Sequence, residues 1–138
     1  MARGSRGIGC ATFAMRGLTF DTGALIGLER RRQRIGQVYR TAVEDGLIVT
    51  VPSAVIAEWW RGRSDARETI LEGVRIELLD ERLARLAGEA LAAVGDATTV
   101  DAIVMASAAR RDDVVYTADL ADLARLQAFF PGVRVLAA

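Results

Sequence analysis

The sequence predicts an α/β protein with a central, mostly parallel sheet of about five strands and helices on both of its faces. Three observations point there. Short apolar, β-branched runs recur along the chain, separated by segments with helical periodicity. Those runs are apolar almost throughout instead of alternating, as strands covered on both faces require. The 138 residues, 51% apolar and 26% charged, suit one folded domain with a sizeable core.

Taken in order, LTFD (18–21) is the first strand, and an apolar helix is expected from about Ala24 to Arg32. A second helix, about Gln33 to Asp45, carries Ile35, Val38, Ala42 and Val43 at helical spacing. LIVTVP (47–52) is a β-branched strand stopped by Pro52, with Ser53 as the expected cap of a short helix, AVIAEWWR (54–61). Ser64 to Gly73 reads as another helix and VRIELL (74–79) as the third strand. Asp80 to Val94 is amphipathic, with Leu83, Leu86, Ala87, Ala90 and Leu91 on one face. Thr98 or Thr99 caps a helix running to about Arg111, DVVYT (113–117) is the fourth strand, and Leu120 to Phe129 a helix. Pro131-Gly132 turns into the last strand, VRVLA. Residues 1–17, MARGSRGIGCATFAMRG, are small and basic without sustained periodicity. They are expected to be a disordered extension, or a start assigned too early with Met15 as the true one, ahead of a domain covering 18–138. Arg3 and Arg6 before a short apolar stretch sketch a signal peptide, but Gly and Thr interrupt it.

What is absent narrows the chemistry. The chain has no His, and all 18 of its basic residues are Arg. That removes His-based triads, Schiff bases, the P-loop lysine and His-ligated zinc together. Arg cannot replace them, because its pKa stays above about 12. A single Cys10 excludes a disulfide framework and points to a reducing cytoplasm. The net charge is zero, and no window has the roughly 18 consecutive apolar residues of a membrane helix. Carboxylates are nearly the only catalytic groups left.

Asp21 ends the first strand, and Asp119 follows VVYT by two residues. In doubly wound folds ligands bind beyond the carboxyl ends of the strands, where strand order reverses, so both acids sit at the edge that matters. Glu58 lies in the first two turns of the helix after the second strand. Asp101 opens the helix before the fourth strand, and joins the others only if Ala97-Thr98-Thr99 returns to that edge. Each acid also has a structural use. Asp21 and Asp119 can be N-caps, Asp101 can complete a capping box, Glu58 can face solvent, and Asp122 can complement a helix dipole. Brought together at about 4 to 6 Å, however, carboxylates repel by about 3 to 4 kcal/mol per pair at an effective dielectric of 20. Without His or Lys, the compensating group is a hard divalent cation, Mg²⁺ or Mn²⁺, bound through oxygen, and its natural chemistry is phosphodiester hydrolysis.

FDTGAL, VPSAVIAEWWRG, TTVDAIVMASAARR and VVYTAD, in that order, resemble the motifs of the PIN domain. The likeness is greatest to the VapC-type toxins of bacterial type II toxin–antitoxin pairs and covers roughly residues 18 to 136. The resemblance implies a three-layer α/β/α sandwich and a Mg²⁺-dependent endoribonuclease with Asp21, Glu58, Asp101 and Asp119 as its catalytic acids. In that reading Asp21 and Asp101 hold the metal, Glu58 and Asp119 help directly or through water, and Thr117 and Asp122 support them. It further implies an RNA substrate, a small antitoxin partner and a homodimer. This chain departs from the family at Gly23, where a Ser is common, so one hydroxyl is missing. A haloacid-dehalogenase-like phosphatase needs an acid at Gly23 and usually a Lys, and a receiver domain needs a Lys; this chain has neither. The alternative from another class is a catalytically silent PIN-like domain that binds or assembles. Arg31 and Arg32, in the densest basic run, and Arg61 beyond Glu58 are expected either to be solvated or to contact RNA phosphates. Of Trp59 and Trp60, one is expected in the core and the other free to stack a base or meet a partner.

Overall fold

The computed structural model describes residues 16–138. Residues 1–15, and with them Cys10, Met15 and most of the expected N-terminal extension, lie outside the described residues. The chain runs β1 (Leu18–Phe20), α1 (Thr22–Glu29), α2 (Gln33–Glu44), β2 (Val49–Pro52), α3 (Ser53–Trp59), α4 (Asp65–Glu72) and β3 (Arg75–Glu77). It continues through α5 (Glu81–Val94), α6 (Thr99–Arg111), β4 (Val114–Thr117), α7 (Leu120–Leu126) and β5 (Arg134–Ala137). The five strands form one sheet in the order β3-β2-β1-β4-β5, and every neighbouring pair is parallel. From β1 the chain builds outward through β2 to β3, then crosses back to place β4 on the other side of β1. Strand order therefore reverses between β1 and β4.

The helices start where short polar side chains cap them. Asp21, Ser64, Asp80, Thr98 and Asp119 each accept the amide of the third residue onward, at the heads of α1, α4, α5, α6 and α7. Ser53 does not act as the expected cap. Pro52 holds that position without a side-chain bond, and the Ser53 hydroxyl instead accepts the Leu79 amide at 3.1 Å, tying α3 to the segment after β3. Helix α1 ends at Glu29, short of the expected Arg32, because Arg31 takes the left-handed backbone (φ 56°). Helix α7 is likewise shorter than its apolar pattern, ending at Leu126.

The core lies on both faces of β1, β2 and β4. Phe20, Leu25, Val51, Val55, Leu83, Met105, Val115, Leu123 and Leu126 are fully enclosed. Seven consecutive residues of α6, Ala102 to Ala108, are buried, which makes it the central helix of its layer. Among the described residues, no single helix is long and apolar enough to cross a membrane. At the amino-terminal ends of the strands, opposite Asp21, the Arg111 guanidinium donates to Asp113, Thr19 and Ser107 at 2.8 to 2.9 Å. It also pairs with Glu77 at 2.9 Å, so a buried polar knot joins α6 to the sheet. Arg16 and Gly17 belong to this end: Gly17 accepts the Val114 amide at 3.1 Å and Arg16 pairs with Asp112 at 3.0 Å.

Candidate active site

Asp21 stands directly after β1 with only 8% of its surface exposed. Its amide donates to the Tyr116 carbonyl of β4 at 3.3 Å, and its Oδ1 caps α1 through the Ala24 amide at 2.9 Å. The carboxylate thus lies at the reversal point between β1 and β4, where a hydrophobic surround meets solvent. Burial pushes its pKa up. The Thr117 hydroxyl and the Ala24 and Gly23 amides work against that, and the Asp101 charge adds to it.

Asp119 enters from β4. The buried Thr117 hydroxyl accepts the Asp119 amide at 2.9 Å while also stabilising the Asp21 carboxylate, so Thr117 links the two strand ends. The Asp119 Oδ1 accepts the Asp122 amide at 3.3 Å. The neighbouring Asp119 carboxyl, through a side-chain hydrogen bond and then through its charge, raises the Asp122 pKa.

Asp101 is the hub. The loop before α6 does return to this edge: the Thr98 hydroxyl accepts the Asp101 amide at 3.1 Å and holds the acid in the first turn. Its pKa is raised first by burial, and then by the charges of Asp122, Glu58 and Asp119, against a lowering hydrogen bond from Thr98. Glu58 arrives on α3, anchored by a 2.6 Å hydrogen bond from the Thr22 hydroxyl to its Oε1. Thr22 was not among the residues expected from the sequence; its signal was the hydroxyl next to Asp21, hidden because its partner lies 36 residues away. Arg125 is a second residue the sequence did not single out. It lies with Asp101, Asp122, Asp96 and Thr98 around a cleft of about 390 Å³, where it donates to the Asp96 carbonyl at 2.8 Å.

The acids share an electrostatic neighbourhood without forming a closed cage. Among the described residues, no three Asp, Glu, His or Cys side chains stand close enough to hold an ion as they are. The expected arginines lie apart. Arg31 and Arg32 are exposed at the far end of α1, about 12 Å along an eight-residue helix from Asp21, so they do not rim the acids directly. Arg61 is exposed and its Nη1 donates to the Trp60 carbonyl at 2.8 Å. Trp59 is the core tryptophan, 3% exposed, with its indole donating to Glu29 at 2.9 Å. Trp60 is half-buried and packs edge-on against it.

The sequence matches no family model and no curated protein. Solved structures are similar in fold. VapBC2 from Rickettsia felis, bound to a DNA fragment from its promoter, aligns with a TM-score of 0.71 at 10% identity, covering 88% of this chain and 98% of that one. DNA-bound VapBC from Salmonella typhimurium aligns at 0.66 and 20% identity, covering 89% and 98%. A toxin–antitoxin complex from Klebsiella pneumoniae aligns at 0.65 and 19%, covering 87% and 96%. The likeness is one of architecture: the chain has the VapC-type PIN-domain fold.

Proposed function

We propose that this chain is a metal-dependent endoribonuclease, the toxin half of a toxin–antitoxin pair, which hydrolyses RNA phosphodiester bonds at the β1–β4 reversal point. What supports the reading is that Asp101 of α6 feels the charges of Glu58, Asp119 and Asp122 and acts on an enclosed Asp21, although no three of the described acids form a ready-made metal cage. Capping accounts for Asp21 and Asp119 one at a time, but not for placing like charges from β1, α3, α6 and the start of α7 at one edge of the sheet.

The donor set fits Mg²⁺. That ion keeps several waters and takes one or two carboxylates plus substrate phosphate, so an open arrangement around Asp21 and Asp101 suits it better than a protein cage. Mn²⁺ fits the same oxygens. When bound, the ion supplies a water of lowered pKa and charge stabilisation at the phosphate. The chain supplies the rest. Thr117 and the amides of Gly23 and Ala24 orient Asp21 and offset part of the effect of its burial, and Thr22 fixes the Glu58 carboxylate. Asp119 and Asp122 stand side by side at the start of α7, tied through the Asp122 amide. Arg31 and Arg32, a helix length away, are placed to contact phosphates one or two nucleotides from the reacting bond, and Arg61 those beyond Glu58.

Structural neighbours are toxin–antitoxin complexes, which supports a small cognate antitoxin as the protein partner. A second copy of the chain is the other partner proposed, and α2 offers it a surface through Val43, 54% exposed. The lack of three ready-made metal ligands favours one rival, a catalytically silent binding module of the same fold. Purified protein incubated with RNA in Mg²⁺ or in EDTA separates the two. Cleavage that depends on Mg²⁺ and fails in Asp101→Asn supports the nuclease; intact RNA under every condition favours the silent module.

A further inference from the structure

Gly23 is the second residue of α1, in ordinary helical backbone, where glycine costs a helix about 1 kcal/mol relative to alanine. No left-handed conformation requires it, since the left-handed glycines of the described residues are Gly46, Gly62 and Gly95. Space requires it. A Cβ built on Gly23 would lie 2.4 Å from the Ala118 Cβ, 3.2 Å from its amide nitrogen and 3.4 Å from its Cα. The first distance is far inside van der Waals contact, and the obstacle is a short side chain on backbone that cannot swing away.

The place of this contact gives it meaning. The β1–β4 ladder has its last paired residues at Phe20 and Tyr116, just before the two strands release their acids. Beyond them, Gly23 follows Asp21 by two residues, and Ala118 sits between Thr117 and Asp119. We propose that the Gly23–Ala118 contact is a positioning clamp that sets the separation of the Asp21 and Asp119 carboxylates. This rests on reading those acids as a site, though the contact itself does not. The absent side chain at Gly23 and the single methyl of Ala118 let the strand ends close, so that one threonine, Thr117, serves both acids. A hydroxyl-bearing side chain at position 23 is therefore excluded by geometry, and placing a serine there damages the site.

The test is a double-mutant cycle of Gly23→Ser and Ala118→Gly. Gly23→Ser is expected to lower the metal-free melting temperature by several degrees. It is also expected to reduce kcat for RNA cleavage at least tenfold with KM changed less than twofold, and to raise the Mg²⁺ concentration that half-stabilises the protein. Ala118→Gly alone removes one side of the contact and should lower kcat about two- to threefold, with a melting temperature closer to wild type than that of Gly23→Ser. Combined with Gly23→Ser it should recover most of each loss, and this double variant keeps the test valid if Gly23→Ser folds poorly. A Gly23→Ser protein with wild-type melting and cleavage overturns the clamp, as does a double variant no better than Gly23→Ser. So does a crystal structure of Gly23→Ser in which Thr117 and Asp119 keep their places. If wild type neither cleaves RNA nor responds to Mg²⁺, the nuclease reading fails alone, and the EDTA melts and that crystal structure still decide the clamp.

Discussion

Replacing Asp101 by Asn should raise the metal-free melting temperature at neutral pH, which is unusual for a half-buried residue at a helix start. Asn keeps the shape, and the backbone cap from the Asp101 amide to the Thr98 hydroxyl survives. What changes is charge. Asp101 feels Asp122, Glu58 and Asp119, and it acts in turn on Asp21. Each screened repulsion with Glu58, Asp119 and Asp21 is worth about 0.2 to 1 kcal/mol, so at mid-range the three together oppose folding by about 1.5 kcal/mol. Against this, an acid in the first turn of α6 gains about 0.5 kcal/mol from the helix dipole, which Asn forfeits. The balance favours Asn by about 1 kcal/mol, or roughly 3 to 5 °C for a chain of this size. The pH dependence follows from the raised pKa. The native state holds the Asp101 proton more tightly than the unfolded chain, so this contribution to stability is fully present below the ordinary aspartate value of 3.8. It is lost as pH rises through the folded pKa. The advantage of Asn should therefore be largest at neutral pH and vanish toward pH 3 to 4, about the ordinary carboxylate range. Mg²⁺ at ten times its Kd should stabilise wild type by about 1.4 kcal/mol and the variant much less. Thermal melts in EDTA and in Mg²⁺, at pH 4 and pH 7.5, measure all of this. If Asp101→Asn melts lower than wild type at pH 7.5 in EDTA and Mg²⁺ shifts neither protein, the acids do not act on one another and the reasoning fails.

Other outcomes follow from the same geometry. Asp21→Asn should cut Mg²⁺-dependent RNA cleavage by at least a hundredfold while far-UV circular dichroism stays native, because the side chain still caps α1. Activity within threefold of wild type would count against Asp21 as a metal ligand. Thr22→Val removes the 2.6 Å bond that orients Glu58; kcat should drop about tenfold and stability by about 1 kcal/mol or less, read by single-turnover cleavage and by urea melts. Exchanging Arg31 and Arg32 for Ala should weaken RNA binding and flatten the plot of log affinity against log salt by about 1.4 units, two single-strand phosphate contacts. An unchanged slope in fluorescence anisotropy would return both arginines to solvent.

The sequence by itself determined the order of elements, the parallel sheet and the two strand-end acids. Those features rest on local physics. An unbroken β-branched run such as LIVTVP has few uses except a strand covered on both faces, and a short acid after such a run caps the helix that follows. Lack of His and Lys, a property of composition, confined the chemistry to carboxylates. VRIELL shows where local pattern misleads. It reads as a buried strand, yet only Arg75–Glu77 pair, at the sheet edge, and Ile76, Leu78 and Leu79 are exposed at 41%, 73% and 44%. Edge or centre depends on which strands lie beside it, and no single strand encodes that. Tertiary structure alone decided that Asp101 returns to the acids, that Thr22 reaches Glu58, that the arginines of α1 stand a helix length away, and that no Cβ fits between Gly23 and Ala118. Apart from the arginines, each of these joins residues tens of positions apart that only the packed sheet and its helices bring together. Side-chain periodicity records which face of an element is buried; the distance between two faces is set only once the layers have packed.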